Sequence, residues 1–387
     1  MAGVLGRPIC IVLSARRWKS SRRDQSHRSM RRALTLAVLA VAALAILGAG
    51  TASAKRGFFG VHYASGPVTK QDLNRLDQGG VGTVRRLFYW PALEPRKGKF
   101  AWTTDKVIGN LASRGIEMLP FVYGSPRYVA KHPNVPPVKS AKRRRLFRKF
   151  LIQAVKRYGK GGTYWTPRPG NQRSPYHQQH PGKPNRPITA WQIWNEPNLK
   201  KFFAPHPSVP QYATLVRTAR GAIHGVDRRA NVVLAGMSGR GQPSDKKFLN
   251  RFYRAKRIKR SFDAVAVNPY APHVPQVGKK IKRIRGVMKR HRDGRTPLWI
   301  TEIGWGSHAP DRFGLNKGLQ GQKRILRKSF RMIIRHRRGW HVKRLIWFDF
   351  RDPPAGAGGC SFCTSAGLLR RSGQPKPAWR AFKRFTH

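Results

Sequence analysis

Eight short apolar runs, alternating with longer amphipathic basic segments, constrain this chain more than any other feature. They are Gly57–Tyr63, Thr83–Phe88, Ile116–Tyr123, Thr189–Asn195, Val232–Met237, Ala264–Asn268, Leu298–Ile303 and Arg344–Asp349. Strand-sized runs that alternate with helical patterns read as βα units around a parallel sheet. The intervening segments fit. Between Arg143 and Tyr158, apolar Phe147, Phe150, Leu151, Ala154, Val155 and Tyr158 recur at steps of three and four, and Lys323–Arg335 reads likewise. Each gives one buried stripe with Arg and Lys opposite, the mark of a helix with a solvated outer face. No repeat beyond this alternation and no shift of composition marks a second domain. The expectation is the α/β class, as a single (β/α)8 barrel.

Not all of the 387 residues belong to that barrel. Arg31 and Arg32 precede an apolar run from Ala33 to Leu47, and Ala52-Ser53-Ala54 follows. A basic start, a short apolar middle and a small-x-small ending read as a secretory leader cut after Ala54. The alternative is a membrane anchor, but a span needs about 20 apolar residues and this run is shorter. Met1–Ser29 is basic and patternless, and Met30 directly precedes Arg31, which suggests Met30 as the true start. The organisation expected is thus residues 1–54 as leader and 55–387 as barrel, in a secreted protein.

Charge is extreme, with 79 Lys and Arg against 15 Asp and Glu. A field that positive attracts polyanions of any kind. Because the cations are spread along the whole chain, they read as a background property or a solubility device. Association with anionic cell-surface polymers is open, while nothing marks a specific nucleic-acid site. Cys10 falls in the leader, leaving Cys360 and Cys363 as C-S-F-C near the C-terminus. In an oxidising compartment the pair is expected to close a disulfide, since further zinc ligands are lacking and no helix start suits a redox motif.

Scarce acids make the remaining ones informative. There are four Glu: Glu94, Glu117, Glu196 and Glu302. Two share a grammar. Ile188 to Trp194 runs apolar and aromatic into Asn195-Glu196-Pro197-Asn198, and Pro297 to Thr301 runs similarly into Glu302-Ile303-Gly304-Trp305. Each places a carboxyl where a buried strand gives way to loop, which in a parallel barrel is the active-site face. Two carboxyls meeting there suit glycoside hydrolysis, where about 5–5.5 Å between them means retention and about 6.5–9.5 Å inversion. Asn and Pro at a strand end also make ordinary turns. Glu94 is expected to order a loop after the second strand, and Glu117, at the start of the third, to be structural.

Trp191-Gln192-Ile193-Trp194-Asn195-Glu196-Pro197-Asn198-Leu199, with Thr301-Glu302 downstream, resembles glycoside hydrolase clan A, most nearly family 39 and the neighbouring cellulase-type family 5. The resemblance implies a retaining enzyme with Glu196 as acid/base after strand four and Glu302 as nucleophile at strand seven. It further implies that Arg85 holds the nucleophile ionised, although adjacent Arg86 faces the other way and either could turn inward. Asn195 would bind the sugar hydroxyl beside the scissile bond, and Tyr270 would contact the nucleophile. Trp347 would offer its face to the sugar. Many relatives carry His where this chain has Asn268, whose role is left open. Trp90, Tyr123 and Trp305 also lie just beyond strands, as substrate contacts or as core.

The reaction so implied uses a carbohydrate substrate, with β-linked sugars expected, and no metal or organic cofactor. His177 and His180 lack partners for a metal site. They lie in the irregular stretch Gly159–Pro187, which, being long, is expected to be functional or mobile and to bear on whether the cleft is an open groove or a pocket. The rival reading is a non-catalytic carbohydrate- or polyanion-binding barrel on the cell surface, because a fold alone does not establish activity.

Overall fold

The computed structural model describes residues 57–64, 66–239, 241–354 and 360–387. The expected leader, its cleavage point after Ala54 and Cys10 lie outside these residues. Among them no helix is long and apolar enough to cross a membrane.

Nine strands form one sheet: β1 (Phe59–His62), β2 (Thr83–Tyr89), β3 (Glu117–Tyr123), β4 (Ala190–Ile193), β5 (Asn231–Leu234), β6 (Met237–Ser238), β7 (Val265–Asn268), β8 (Leu298–Ile303) and β9 (Val342–Trp347). Their hydrogen-bonded order is β5-β4-β3-β2-β1-β9-β8-β7-β6, and all pairings are parallel. Only Ala235 and Gly236 separate β5 from β6, so the two ends of this order are pieces of one interrupted strand. Leu234 N–H also donates to Ala264 O just ahead of β7, at 2.9 Å. That contact joins the two edges, and the sheet is an eight-stranded (β/α)8 barrel. The eight expected strands are all present.

Strand alternation sorts the core into two layers. Leu119, Ala190, Val233, Ala264, Ala266, Trp299 and Ile346 face one another inside the barrel. Their strand neighbours, such as Val84, Phe88, Trp191, Ile300 and Trp347, pack outward against the helices. The helix Ala141–Tyr158 shows how the outer layer is held. Ser140 caps its start, accepting from Arg143 N–H, and the helix ends at Gly159. Phe147, Phe150 and Leu151 are fully buried, each stabilising by about 1.5–3 kcal/mol.

The stretch Gly159–Pro187 departs from expectation. It carries a short helix, Pro175–Gln179, and buries Tyr164, Trp165 and Tyr176 against one another. Ile188 N–H returns to Tyr158 O, and Arg186 donates to Gly115 O ahead of β3. It thus leads from a helix end into a strand start, on the face of the barrel opposite the strands' C-terminal ends. The physical reason is direction: only loops that follow strands reach the catalytic face. This segment does not shape the cleft. His177 is hydrogen-bonded with Ser174 and Lys183 O, and among the described residues no group of His, Cys, Asp and Glu gathers as metal ligands.

Candidate active site

β8 and β9 lose their regular register between Ile300 and Ile303. Ile300 and Ile303 pack outward, while Thr301 and Glu302 both make their hydrogen bonds inward. An irregularity of this kind re-aims a side chain that simple alternation would send the other way. Glu302, 8 % exposed, is thereby turned into the barrel mouth.

Arg85 meets it there. This fully buried side chain donates from Nη1 to Glu302 Oε1 at 2.7 Å, from Nε to Gln192 Oε1 at 2.6 Å and from Nη2 to Asn195 Oδ1 at 3.0 Å. Its guanidinium lies 4.1 Å from the Phe121 ring centroid. Burial lowers the Arg85 pKa, and the neighbouring charge of Glu302 opposes that shift. Arg86, one residue on, turns out of the barrel and donates to Gly66 O. The second oxygen of Glu302 accepts from Tyr270 Oη at 2.9 Å. Burial, and then the charge of Glu302, raise Tyr270 well above the usual tyrosine range, so its hydroxyl stays a donor at neutral pH.

Glu196 is presented differently. Beyond β4 the chain takes positive φ at Trp194 (73°) and at Glu196 (33°), which costs on the order of 1–3 kcal/mol per residue where no glycine relieves it. Neighbouring bonds hold the turn. Trp194 Nε1 donates to Phe202 O at 2.7 Å, and Asn198 Nδ2 donates to Ser238 O at 2.7 Å while its Oδ1 accepts from Ser238 N–H. The Glu196 carboxyl has one weak donor, Asn268 Nδ2 at 3.3 Å from Oε1. Asn268 is oriented by Thr301 Oγ1, which donates to its Oδ1 at 2.9 Å. A Cβ on Gly236 would stand 2.1 Å from that Oδ1, so the break between β5 and β6 needs glycine to admit this pair. Burial first, then the negative Glu302, push the Glu196 pKa up to about 8.

One aromatic expectation, Trp347, is corrected, and two left open, Trp90 and Trp305, fall to the core. Trp347, Trp305 and Trp90 are fully buried and offer no face to a substrate. Trp347 alternates with inward Ile346, so it points at the helices, and its Nε1 donates to Ala366 O. Trp305 donates to Ala271 O, and Trp90 stacks on Phe150 and donates to Glu94. The residue after Trp347 takes the inward place. Phe348 is half-buried, stacks on His62 with centroids 5.0 Å apart, and meets Tyr270 edge-on at 6.2 Å. Period-two counting from Ile346 would have found it. Tyr123, half-buried, lies against Trp194. Gln192 and Thr301 were also missed, although each is a polar residue inside an otherwise apolar strand.

The other two glutamates are tied up. Glu94 accepts from Trp90 Nε1 and from Gly98 N–H, ordering the loop after β2. Glu117 pairs with Arg344 at 2.7 Å and accepts from Thr189 at the opposite end of the barrel. Cys360 and Cys363 are joined as a disulfide with Cα atoms 5.2 Å apart.

Comparison with known proteins bears on the family and the fold. The model of the glycosyl hydrolase catalytic core matches residues 170–380, a span that contains both Glu196 and Glu302. No curated protein matches by sequence. Among solved structures, the chain is similar to a family 39 glycoside hydrolase of Bacteroides cellulosilyticus, at 18% identity and TM-score 0.62 over 86% of this chain and 64% of that one. It is similar to a monomeric beta-xylosidase of Caulobacter crescentus at 18% identity and TM-score 0.60, over 84% and 67%. A GH5_18 structure from Bifidobacterium longum, solved with Manb1-4GlcNAc, matches at 15% and TM-score 0.60, over 85% and 77%. The chain therefore spans about two thirds of the first two structures' length. Likeness at such identities speaks for the barrel.

Proposed function

The chain belongs to the glycosyl hydrolase catalytic core family, and from that premise we propose that it is a retaining glycoside hydrolase with Glu302 as nucleophile and Glu196 as acid/base. One observation carries the reading. Two carboxyls share a barrel mouth, one clamped by Arg85 and Tyr270, the other pushed up to about 8 by burial and its partner's charge. Environments that drive a pair of carboxyls apart mark the acid and the anion of such chemistry.

The steps follow from those environments. Glu302 attacks the anomeric carbon as Glu196 gives its proton to the departing oxygen. Esterification removes the negative charge of Glu302, and with it one cause of the raised Glu196 pKa. Glu196 then takes a proton from the water that releases the sugar. Asn195, whose Oδ1 is held by Arg85, keeps its amide N–H groups for a sugar hydroxyl, and half-buried Phe348 offers an apolar face. Retention is supported by the resemblance of the two motifs to clan A. Substrates are proposed to be β-linked, in line with the beta-xylosidase and the Manb1-4GlcNAc complex among the similar structures. The basic leader pattern supports export of the mature enzyme.

Glu196→Ala tests the assignment. On aryl glycosides with good leaving groups it is expected to keep activity, and azide is expected to raise the rate and yield a glycosyl azide of retained configuration. Hydrolysis of both activated and natural substrates at the wild-type rate would sink it.

A further inference from the structure

The helices Gly318–Arg335 and Pro377–Thr386 follow β8 and β9, and between them lies a cavity of about 210 Å³. Lys323 and Arg327 line one wall, and Arg380 and Arg384 the other. Each pair is four residues apart, one helical turn and about 6 Å along its axis. Among the described residues no carboxylate lines the cavity. Several carboxylates elsewhere are taken by other cations: Asp105 by Arg157, Asp263 by Arg220, Asp245 by Arg283 and Asp352 by Lys376. Four cationic side chains thus border one hollow whose described lining holds no carboxylate, and an oxyanion placed there meets charge of the opposite sign on both walls.

Two features narrow the occupant. Pro377 and Ala381 give the cavity an apolar floor without an aromatic side chain. Single-stranded nucleic acid is gripped by stacking bases on aromatic platforms, which this surface lacks. A glycan bearing regularly spaced oxyanions has both the charges for the walls and apolar ring faces for the floor. Position agrees. Lys376, which caps the second helix, donates to Ser307 in the loop after β8 and to Ser365 O after β9. The upper end of the groove therefore adjoins loops that leave the strands on the Glu302 side of the barrel mouth.

We propose that this groove binds an anionic polysaccharide, holding a chain outside the catalytic cleft. Lys323 and Arg327 lie far in sequence from Arg380 and Arg384, and the fold alone turns a scattered basic composition into a two-walled site.

The test is binding, which needs no turnover and so stands or falls apart from the proposed hydrolysis. The mature protein is titrated with polygalacturonate, dextran sulfate and single-stranded DNA at constant salt. Three proteins are compared: wild type, a groove variant (Lys323→Gln, Arg327→Gln, Arg380→Gln, Arg384→Gln) and a control of equal charge (Lys142→Gln, Arg145→Gln, Arg148→Gln, Lys149→Gln) on the exposed face of the helix Ala141–Tyr158. The groove variant is expected to lose about tenfold or more in affinity for at least one polysaccharide, and the control less than about threefold, on the scale of exposed ion pairs. The polymer that suffers more names the oxyanion. Equal losses in the two variants, or groove-dependent binding stronger for DNA than for either polysaccharide, overturn the proposal. If the fourfold variant does not fold, the pair Lys323→Gln with Arg327→Gln is measured against Lys142→Gln with Arg145→Gln, and equal losses there overturn it too.

Discussion

The ends of β4 and β8 carry the same side chain and treat it in opposite ways. Glu302 stays within its strand, aimed inward by a register irregularity, and both its oxygens take strong donors, from Arg85 and Tyr270. Glu196 stands three residues beyond its strand on a positive-φ backbone, with one long bond from Asn268. Donors stabilise the ionised form, whereas burial without donors stabilises the neutral form. A single Arg85 couples the two ends, since it touches Glu302 and also Asn195, the neighbour of Glu196. Residue type is therefore shared, and role is set by what surrounds it.

The comparison breaks first at Glu302. Glu302→Gln keeps shape but removes the anion, and kcat on an activated glycoside should fall by about 10⁴-fold or more. A variant that retains a tenth of wild-type kcat in steady-state assays would show that the clamped carboxyl is not the nucleophile.

A smaller change sharpens the asymmetry. Tyr270→Phe deletes one charge-assisted donor to Glu302 and leaves Arg85 in place. At roughly 1.5–3 kcal/mol for a hydrogen bond to a charged group, kcat/KM should drop about ten- to a hundredfold. An unchanged kcat/KM would mean that Arg85 alone holds the nucleophile. The Trp347→Phe substitution, on the outward layer, is no substitute for this test, because any loss there passes through packing.

How much of this was legible in the residues can be read from the same two ends. The barrel was, because eight apolar runs alternating with helical stripes leave few other folds, whereas Arg85 came from the resemblance, since alternation in β2 says only that Arg85 and Arg86 face opposite ways. Glu196 and Glu302 stood out because acids are scarce and strand ends are where barrels do chemistry. Trp347 was misplaced by one residue: a strand boundary hides which of Trp347 and Phe348 faces inward until Ile346 is seen inside the barrel. For Trp90 and Trp305 the residues left core and substrate contact both open, because an aromatic after a strand serves either equally well, and only packing decides. Gln192 and Thr301 looked like ordinary strand polarity, and their value appears only once Arg85 and Asn268 are beside them. The basic groove lay hidden for a different reason. Uniform charge along a chain says nothing about where helices will bring it together.

The smallest expected effect reads the Glu196 end directly, through one titration seen in two ways. Glu196 must carry a proton to act as acid, so wild-type kcat/KM should decline as pH rises through about 8. The same raised value has a thermodynamic sign. A carboxyl that titrates near 4.5 when unfolded and near 8 when folded binds its proton more tightly in the fold. Ionising it therefore favours the unfolded chain, and wild type loses stability from about pH 4.5 up to about pH 8. Glu196→Gln has no proton to lose there. Its melting temperature should match wild type's dependence below pH 4.5 and stand roughly 7 °C higher, relative to that baseline, at pH 9. The measurement is a pair of calorimetric scans at each pH. A difference that stays flat between pH 5 and 9 would mean that Glu196 is already ionised in the folded protein, and the contrast with Glu302 would then have to be sought in geometry alone.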